Sequence, residues 1–355
     1  MISTDSKIFE KNSAVRARMI EYGVLVEHLD IIVLSKNKTK QDILSPNVTA
    51  YSTCSGSRFS ALFLAIQMGK HFSGVNLVTA QDPFETGFAG WRIARSLGAR
   101  LELQVHTDFM SPYFATENIK NKIRVMIAKF LLPKAQCVRV VSERIKKSIA
   151  GLTNASVTVL PIFTDIKKIQ DADGSHIRAQ FPQFEKIVLV VSRLEHEKNV
   201  AQAIGVFAKT VKKYPKAGLL IVGDGSERKN LKSQISNLKL EDRVILVGVQ
   251  NTVASYYVAA DVYLHTSFYE GYGLALLEAY AVGLSIVTTD VGVVGGVVSG
   301  EGISVCSVGD EDCLVSALTS ALSNPRRLIR KLTQTSKEEY LLAYKKQWEL
   351  CSSRV

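Results

Sequence analysis

The chain has no Cys-x-x-Cys pair. Its five cysteines, Cys54, Cys137, Cys306, Cys313 and Cys351, are scattered over 355 residues. That spacing argues against a zinc site and a disulfide framework, and it fits a reducing compartment. No long apolar run is present either. The longest weakly charged stretch, 281–300, is interrupted by Asp290 and diluted by five glycines. It reads as strand plus loop, not as a membrane span. Residues 1–10 are mixed and polar, so no secretory signal is expected. The full Gly-x-Gly-x-x-Gly spacing is missing, so dinucleotide binding is not supported. No cluster of metal-ligating residue types occurs, and no metal is expected.

What is present is an ordinary globular composition, 46% hydrophobic, long enough for two domains. The net charge is +11 and uneven: residues 1–165 hold 21 Lys/Arg against 13 Asp/Glu. A basic first half suits acidic partners such as phospholipid, a lipid phosphate or nucleic acid. Ordinary solubility charge explains it equally well.

Short apolar runs alternate with helical patterns. Strands are expected over 29–34, 48–52, 75–79, 101–106, 138–142 and 157–160, with helices such as 58–71, 85–97 and 118–132 between them. Several runs are apolar without alternation, as parallel strands covered on both faces are. Residues 161–184 break the rhythm and read as a connection. Strands then resume over 187–192, 219–222, 244–247, 262–265 and 286–289. The expected fold is α/β: two doubly wound Rossmann-like domains facing across a cleft, over 1–163 and 186–327. Residues 164–185 join them, and a helical segment over 328–355 is expected to pack back on the first domain.

The most informative stretch runs from Ser267 to Ala279. Glu270 and Glu278 stand eight residues apart, with Gly271, Tyr272, Gly273 and Leu274 between strand and helix. A helix N-terminus with unpaired N–H groups binds phosphate, and glycines admit close approach. Two acids beside a phosphate cradle suit a nucleotide-activated sugar. Arg193 leaves a buried-type strand, and Lys198 follows five residues later; together they can hold a diphosphate. Gly223-Asp224-Gly225 and the Gly248-Val249 segment either border a nucleotide or form plain turns. His106 ends a first-domain strand, in position to touch a hydroxyl or to serve structurally. Asp82 follows another strand and reads first as a helix cap. Asp108, just past His106, is a lower-ranked lining residue.

In order and spacing these residues resemble glycosyltransferase family 4, retaining nucleotide-sugar transferases of the GT-B fold. The motifs that carry the resemblance are Arg193-Leu194 with Lys198, Gly223-Asp224-Gly225, and Glu270 with Glu278. They span about 187–310, with looser likeness at Gln81-Asp82-Pro83 and Val105-His106-Thr107-Asp108. The glycine pair usual after the first strand is absent over 4–13. The resemblance implies that Arg193 and Lys198 hold the donor diphosphate and that amides of Gly271 to Leu274 cradle phosphate or sugar. It puts Glu270 at the donor sugar, Glu278 at the ribose and His106 between sugar and acceptor. It implies no cofactor beyond the nucleotide-diphosphate sugar itself, and no metal.

The expected function is therefore sugar transfer from a nucleotide diphosphate to a hydroxyl of a glycan, lipid-linked or other acceptor, in glycan, polysaccharide or glycolipid synthesis. A nucleotide-sugar epimerase, a sugar phosphorylase and a non-catalytic sugar- or nucleotide-binding protein are the alternatives. Nucleic acid is not an expected partner. Ile119, Ile123, Met126, Ile127, Phe130 and Leu131 make one helical stripe flanked by Lys120, Lys122, Arg124 and Lys129. Either this helix lies on an anionic membrane, or it packs on the sheet with snorkelling lysines. The expected location is cytoplasmic, with the membrane reading placing the chain peripherally at the inner face.

Overall fold

The computed structural model describes residues 1–37, 39–330, 332 and 335–353. The chain divides into two units, Met1–Phe163 with Thr335–Val355, and Thr164–Gln334.

The first unit holds strands β1 (Ile2–Ser3), β2 (Leu29–Val33), β3 (Gln41–Ser45), β4 (Val48–Ser52), β5 (Leu77–Ala80), β6 (Arg100–Val105), β7 (Cys137–Val140) and β8 (Ser156–Val159). They form one sheet in the order β3-β4-β2-β1-β5-β6-β7-β8. All neighbours are parallel except β3, which runs antiparallel to β4. Its helices are α1 (Ala14–Gly23), α2 (Arg58–Gly69), α3 (Glu85–Leu97), α4 (Pro112–Glu117), α5 (Ile119–Leu131) and α6 (Glu143–Ile149).

The second unit begins with α7 (Ile166–Gln170) and α8 (Ser175–Gln180). It continues through β9 (Lys186–Val191), α9 (Val200–Thr210), β10 (Ala217–Val222), α10 (Arg228–Asn237) and β11 (Val244–Gly248). Then come α11 (Ala254–Ala259), β12 (Val262–His265), α12 (Leu274–Ala281), β13 (Ser285–Thr289), β14 (Ile303–Cys306) and α13 (Glu311–Ser323). This sheet is parallel throughout, in the order β11-β10-β9-β12-β13-β14. Central strands such as β10 are buried at every residue, which explains their unbroken apolar runs. Both units are doubly wound α/β, as expected. The sequence reading overlooked β3 and β14. Each is an edge strand, paired on one side only, and neither is a continuous apolar run.

Residues 164–185 read as a connection, but α7 and α8 pack on α11 and α12 as part of the second unit. Ile166, Ile169 and Ile177 are buried there, and Arg178 pairs with Asp261 at 2.6 Å. The helices are too short for periodicity to reveal. The last helix, α14 (Lys337–Ser352), starts on a Ser336–Glu339 capping box. Its Tyr340, Tyr344 and Trp348 complete the first unit's core with Met19, Tyr22 and Leu29.

The expectation of unpaired cysteines is corrected. Cys137 on β7 bonds Cys351 on α14, and Cys306 bonds Cys313. Cys137 and Cys351 are 214 residues apart in sequence, so only the docking of α14 on the sheet brings them together.

Candidate functional site

In the second unit the candidate residues collect at the carboxyl ends of β9, β10 and β12, where doubly wound sheets bind ligands. After β9, a short turn over His196–Lys198 ends at Asn199, whose left-handed backbone (φ 48°) starts α9. After β12, Thr266 to Tyr269 run back across that turn. Phe268 N donates to the Glu197 carbonyl at 2.9 Å, and Thr266 Oγ1 to that of Asn199 at 2.9 Å. Thr289, ending β13, donates to the Ser267 carbonyl at 2.8 Å. These bonds tie the loop to the turn after β9 and to the end of β13.

The result is a buried ion pair: Lys198 Nζ lies 2.6 Å from Glu270 Oε1, with side chains 14% and 12% exposed. Ser267 Oγ donates to the same oxygen at 3.0 Å. His265 Nε2 stands 3.3 Å away, outside hydrogen-bonding alignment. Burial pushes the Glu270 carboxyl up, but His265 and Lys198 outweigh it and hold it down at about 2. Glu270 is thus ionised in the folded chain. A depressed carboxylate contributes stability that is present above its unfolded value, 4.5, and lost as pH falls toward 2. Acid unfolding of the wild type followed by circular dichroism should show this loss, and Glu270→Gln should flatten that part of the curve.

Gly273 caps α12 with φ 90° and ψ 58°, a left-handed conformation that suits glycine. It turns the chain so that the first amides of α12, which lack intrahelical acceptors, follow directly on the Glu270 loop. Tyr272 is buried, and its carbonyl accepts from Val293 N at 2.9 Å. Glu278 is the fifth residue of α12. Burial pushes its carboxyl up, with nearby Tyr257 opposing.

The other candidates divide. Arg193 leaves β9 with its side chain 70% exposed and paired with Glu197 at 2.6 Å, not with Glu270. Gly223-Asp224 packs against that exit: Leu194 N donates to the Asp224 carbonyl at 2.9 Å. Val249 is 73% exposed beyond β11.

In the first unit, His106 lies on the wall of a pocket of about 640 Å³ with Asp82, Arg18, Gln104, Arg139 and Tyr340. Its Nε2 is 3.1 Å from Gln104 Oε1. The Gln104 amide is oriented by its neighbours. Its nitrogen donates to Thr79 Oγ1 at 2.9 Å and to Tyr344 Oη at 2.8 Å, while its oxygen receives Arg139 Nη1 at 3.1 Å. Arginine only donates, so the Gln104 oxygen must face it. His106 therefore carries its proton on Nε2 and leaves Nδ1 as an acceptor. Burial and the cations Arg139 and Arg18 push His106 down to about 3, so the ring is neutral. Asp82 does cap α3, accepting from Phe84 N at 2.7 Å and Thr86 N at 3.3 Å, and burial raises it. Asp108 is raised by burial as well.

Sequence reasoning missed His265, Ser267, Gln104 and Arg139. His265 and Ser267 sit just upstream of Glu270, a visible cue. Gln104 and Arg139 lie inside strands, where nothing in the sequence marks them.

The α5 stripe is resolved differently from the snorkelling alternative. Ile119, Ile123, Met126 and Phe130 are exposed, while Ala128 and Leu131 are buried. Arg124 turns instead to Glu85, at 3.0 Å.

Residues 174–339 match the family model of glycosyl transferases group 1. Among curated relatives of this chain is alpha-monoglucosyldiacylglycerol synthase of Streptococcus pneumoniae. It is 26% identical over 296 residues, 78% of this chain and 66% of that protein. Another is N-acetyl-alpha-D-glucosaminyl L-malate synthase of Bacillus anthracis, 33% identical over 160 residues, 44% of this chain and 42% of the relative. The chain thus spans two thirds or less of their length. Among solved structures, sucrose-phosphate synthase from Thermosynechococcus elongatus aligns with TM-score 0.76 at 20% identity, covering 99% of this chain and 96% of that one. Anabaena HepE with UDP and glucose aligns with TM-score 0.73 at 18% identity, covering 99% of each chain. These establish the GT-B type of fold: two Rossmann-like domains with sheets that are parallel but for the edge strand β3. Among the described residues no group of acids, histidines and cysteines is arranged to hold a metal, and no helix is long and apolar enough to cross a membrane.

Proposed function

We propose that the protein is a retaining, metal-independent glycosyltransferase of the family 4 kind, transferring a sugar from a nucleotide diphosphate to an acceptor hydroxyl. The observation that carries this reading is the buried Lys198–Glu270 pair beside the N-terminus of α12. Lys198 and the amides from Gly271 to Leu274 stabilise the diphosphate as it takes charge, so help grows toward the transition state. Arg193 swings from Glu197 to the diphosphate when the donor binds. Glu270, held ionised, accepts from the sugar hydroxyls, and Glu278 from the ribose. The acceptor oxygen bonds to the anomeric carbon on the face the nucleotide leaves. The carbon–phosphate-oxygen bond breaks, its electron pair departs on the diphosphate, and the hydroxyl proton follows. His106 offers Nδ1 to the acceptor hydroxyl.

A panel of nucleotide sugars read by thermal shift tests the donor half, because a ligand bound only to the native state raises its melting temperature. No shift with any member rejects it. NMR of the product's anomeric proton tests retention, and turnover in excess chelator tests metal independence.

Gln104 acts as a positioning residue for His106. Gln104→Leu is expected to lower kcat about tenfold, leave donor affinity intact, and let both ring tautomers appear in nitrogen NMR of His106. An unchanged tautomer with unchanged kcat rejects that role.

The acceptor belongs to glycan, polysaccharide or glycolipid synthesis. The exposed α5 stripe, with Lys120, Lys122 and Lys129 around it, supports peripheral contact with an anionic membrane. The cytoplasmic leaflet carries that charge. Vesicle binding that ignores anionic lipid, or persists after Lys120, Lys122 and Lys129 are replaced, overturns the membrane contact.

A further inference from the structure

The first unit's pocket is lined by two arginines, Arg18 and Arg139, that make no ion pair among the described residues. Arg139 is part of the wall although only 2% exposed. Its Nη1 donates to Gln104 Oε1 at 3.1 Å and Tyr344 Oη at 3.2 Å. Its Nη2 donates to the Leu160 carbonyl and Tyr340 Oη, both at 3.2 Å. All four acceptors are neutral, and Nε has no partner. A buried guanidinium ordinarily sits against a carboxylate, because an uncompensated charge in a poorly polarisable interior is costly. Glu102 offsets part of this charge through space but makes no ion pair with Arg139 among the described residues; its oxygens accept from Thr79 at 2.6 Å, Trp348 at 3.0 Å and Gln347 at 3.3 Å.

Arg18 of α1 lines the same pocket, exposed, with no ion pair among the described residues. The acids of the wall are engaged elsewhere. Glu21 pairs with Lys337, Asp82 caps α3, and Asp5 accepts from Lys7 N at 3.0 Å. The charges acting on the His106 ring are those of Arg139 and Arg18, both cationic. A site with two arginines outside any ion pair among the described residues, tyrosine hydroxyls and an imidazole acceptor suits a ligand that has both an anion and a hydroxyl.

We propose that this pocket binds the acceptor through an anionic group, a phosphate or carboxylate, held by Arg18 and Arg139, with the hydroxyl to be glycosylated directed at His106. This rests on the glycosyltransferase reading for its meaning, but the anion site can be tested without it.

Inorganic phosphate is titrated into the full chain while the labelled His106 ring is followed by NMR. Saturable shifts are expected, weakened about tenfold or more in Arg18→Gln and retained in Arg18→Lys. Arg18 is on the surface, so the variant folds even if Arg139→Gln does not. No perturbation of His106, or equal binding in Arg18→Gln, overturns the proposal. A transfer assay then compares glycerol phosphate, vesicles containing phosphatidylglycerol, whose headgroup has both phosphate and hydroxyls, and vesicles containing only neutral diacylglycerol. Preference for either phosphate-bearing acceptor supports the anion site and says whether its source is soluble or lipid. Preference for neutral diacylglycerol overturns it. If nucleotide sugars shift the melting temperature while phosphate leaves His106 untouched, this inference fails alone. If phosphate binds and no nucleotide sugar does, the glycosyltransferase reading fails and the anion site stands.

Discussion

Lys198→Ala is expected to reduce kcat/KM by about 10² to 10³-fold, the usual cost of removing one group that stabilises developing negative charge. The same change strands Glu270, since Lys198 lies 2.6 Å away in a nearly closed environment. Removing one partner of a buried pair costs about 3–5 kcal/mol, because the remaining charge stays desolvated. Both catalysis and stability should therefore suffer, and a second variant separates them. Lys198→Met combined with Glu270→Gln removes both charges, so the neutral pair should recover most of the lost stability in a urea melt. Activity should stay low. If the double variant turns over like wild type, Lys198 has no role in diphosphate binding. If Lys198→Ala alone keeps donor affinity and turnover, the donor-site assignment fails outright.

The second large effect is structural. Gly223→Val should unfold or severely destabilise the second unit. Gly223 has φ 134°, where side chains are strained, and a Cβ there would overlap the Ser192 carbonyl oxygen. The neighbour is backbone and cannot rotate away. It is pinned by Ser192 N donating to the Val222 carbonyl at 3.1 Å and Gly223 N to that of Gly248 at 2.9 Å. Backbone strain and overpacking together cost about 3 kcal/mol or more. For a unit of this size that lowers the melting temperature by roughly 6–12 °C. An unchanged melting temperature would show that the β9 exit is not held against the Gly223 turn. The Gly223-Asp224-Gly225 segment, read from sequence as either a ligand border or a turn, has this packing duty whatever else it does.

The legible parts of the site were local. Strand, turn and helix around Glu270 follow each other within a dozen residues, so spacing alone located Gly273, Leu274 and Glu278. The capping role of Asp82 was legible for the same reason, since its partners are two and four residues away. Arg193 was placed correctly at a strand exit, but its side chain pairs with Glu197 rather than with the Glu270 cluster. A sequence orders backbone; it does not choose between two acids within reach of one arginine. The α5 stripe had a clear period, yet periodicity does not say whether an apolar face turns inward. Only the packing of the other face, through Ala128 and Leu131, leaves Ile119 and Met126 outside.

From the sequence alone came two doubly wound units, the strand–glycine–helix element of Glu270 and Glu278, and the pairing in kind of two cations with that element. Those features depend on neighbours along the chain, where apolar period, glycine and capping residues act over a few positions. The tertiary structure decided which cation meets Glu270, since Lys198 and Glu270 are 72 residues apart. It also decided how His106 is protonated, because Gln104 answers to Arg139 and to Tyr344 of the last helix. Contacts that cross the whole chain obey packing and charge compensation, and neither leaves a periodic mark in the sequence.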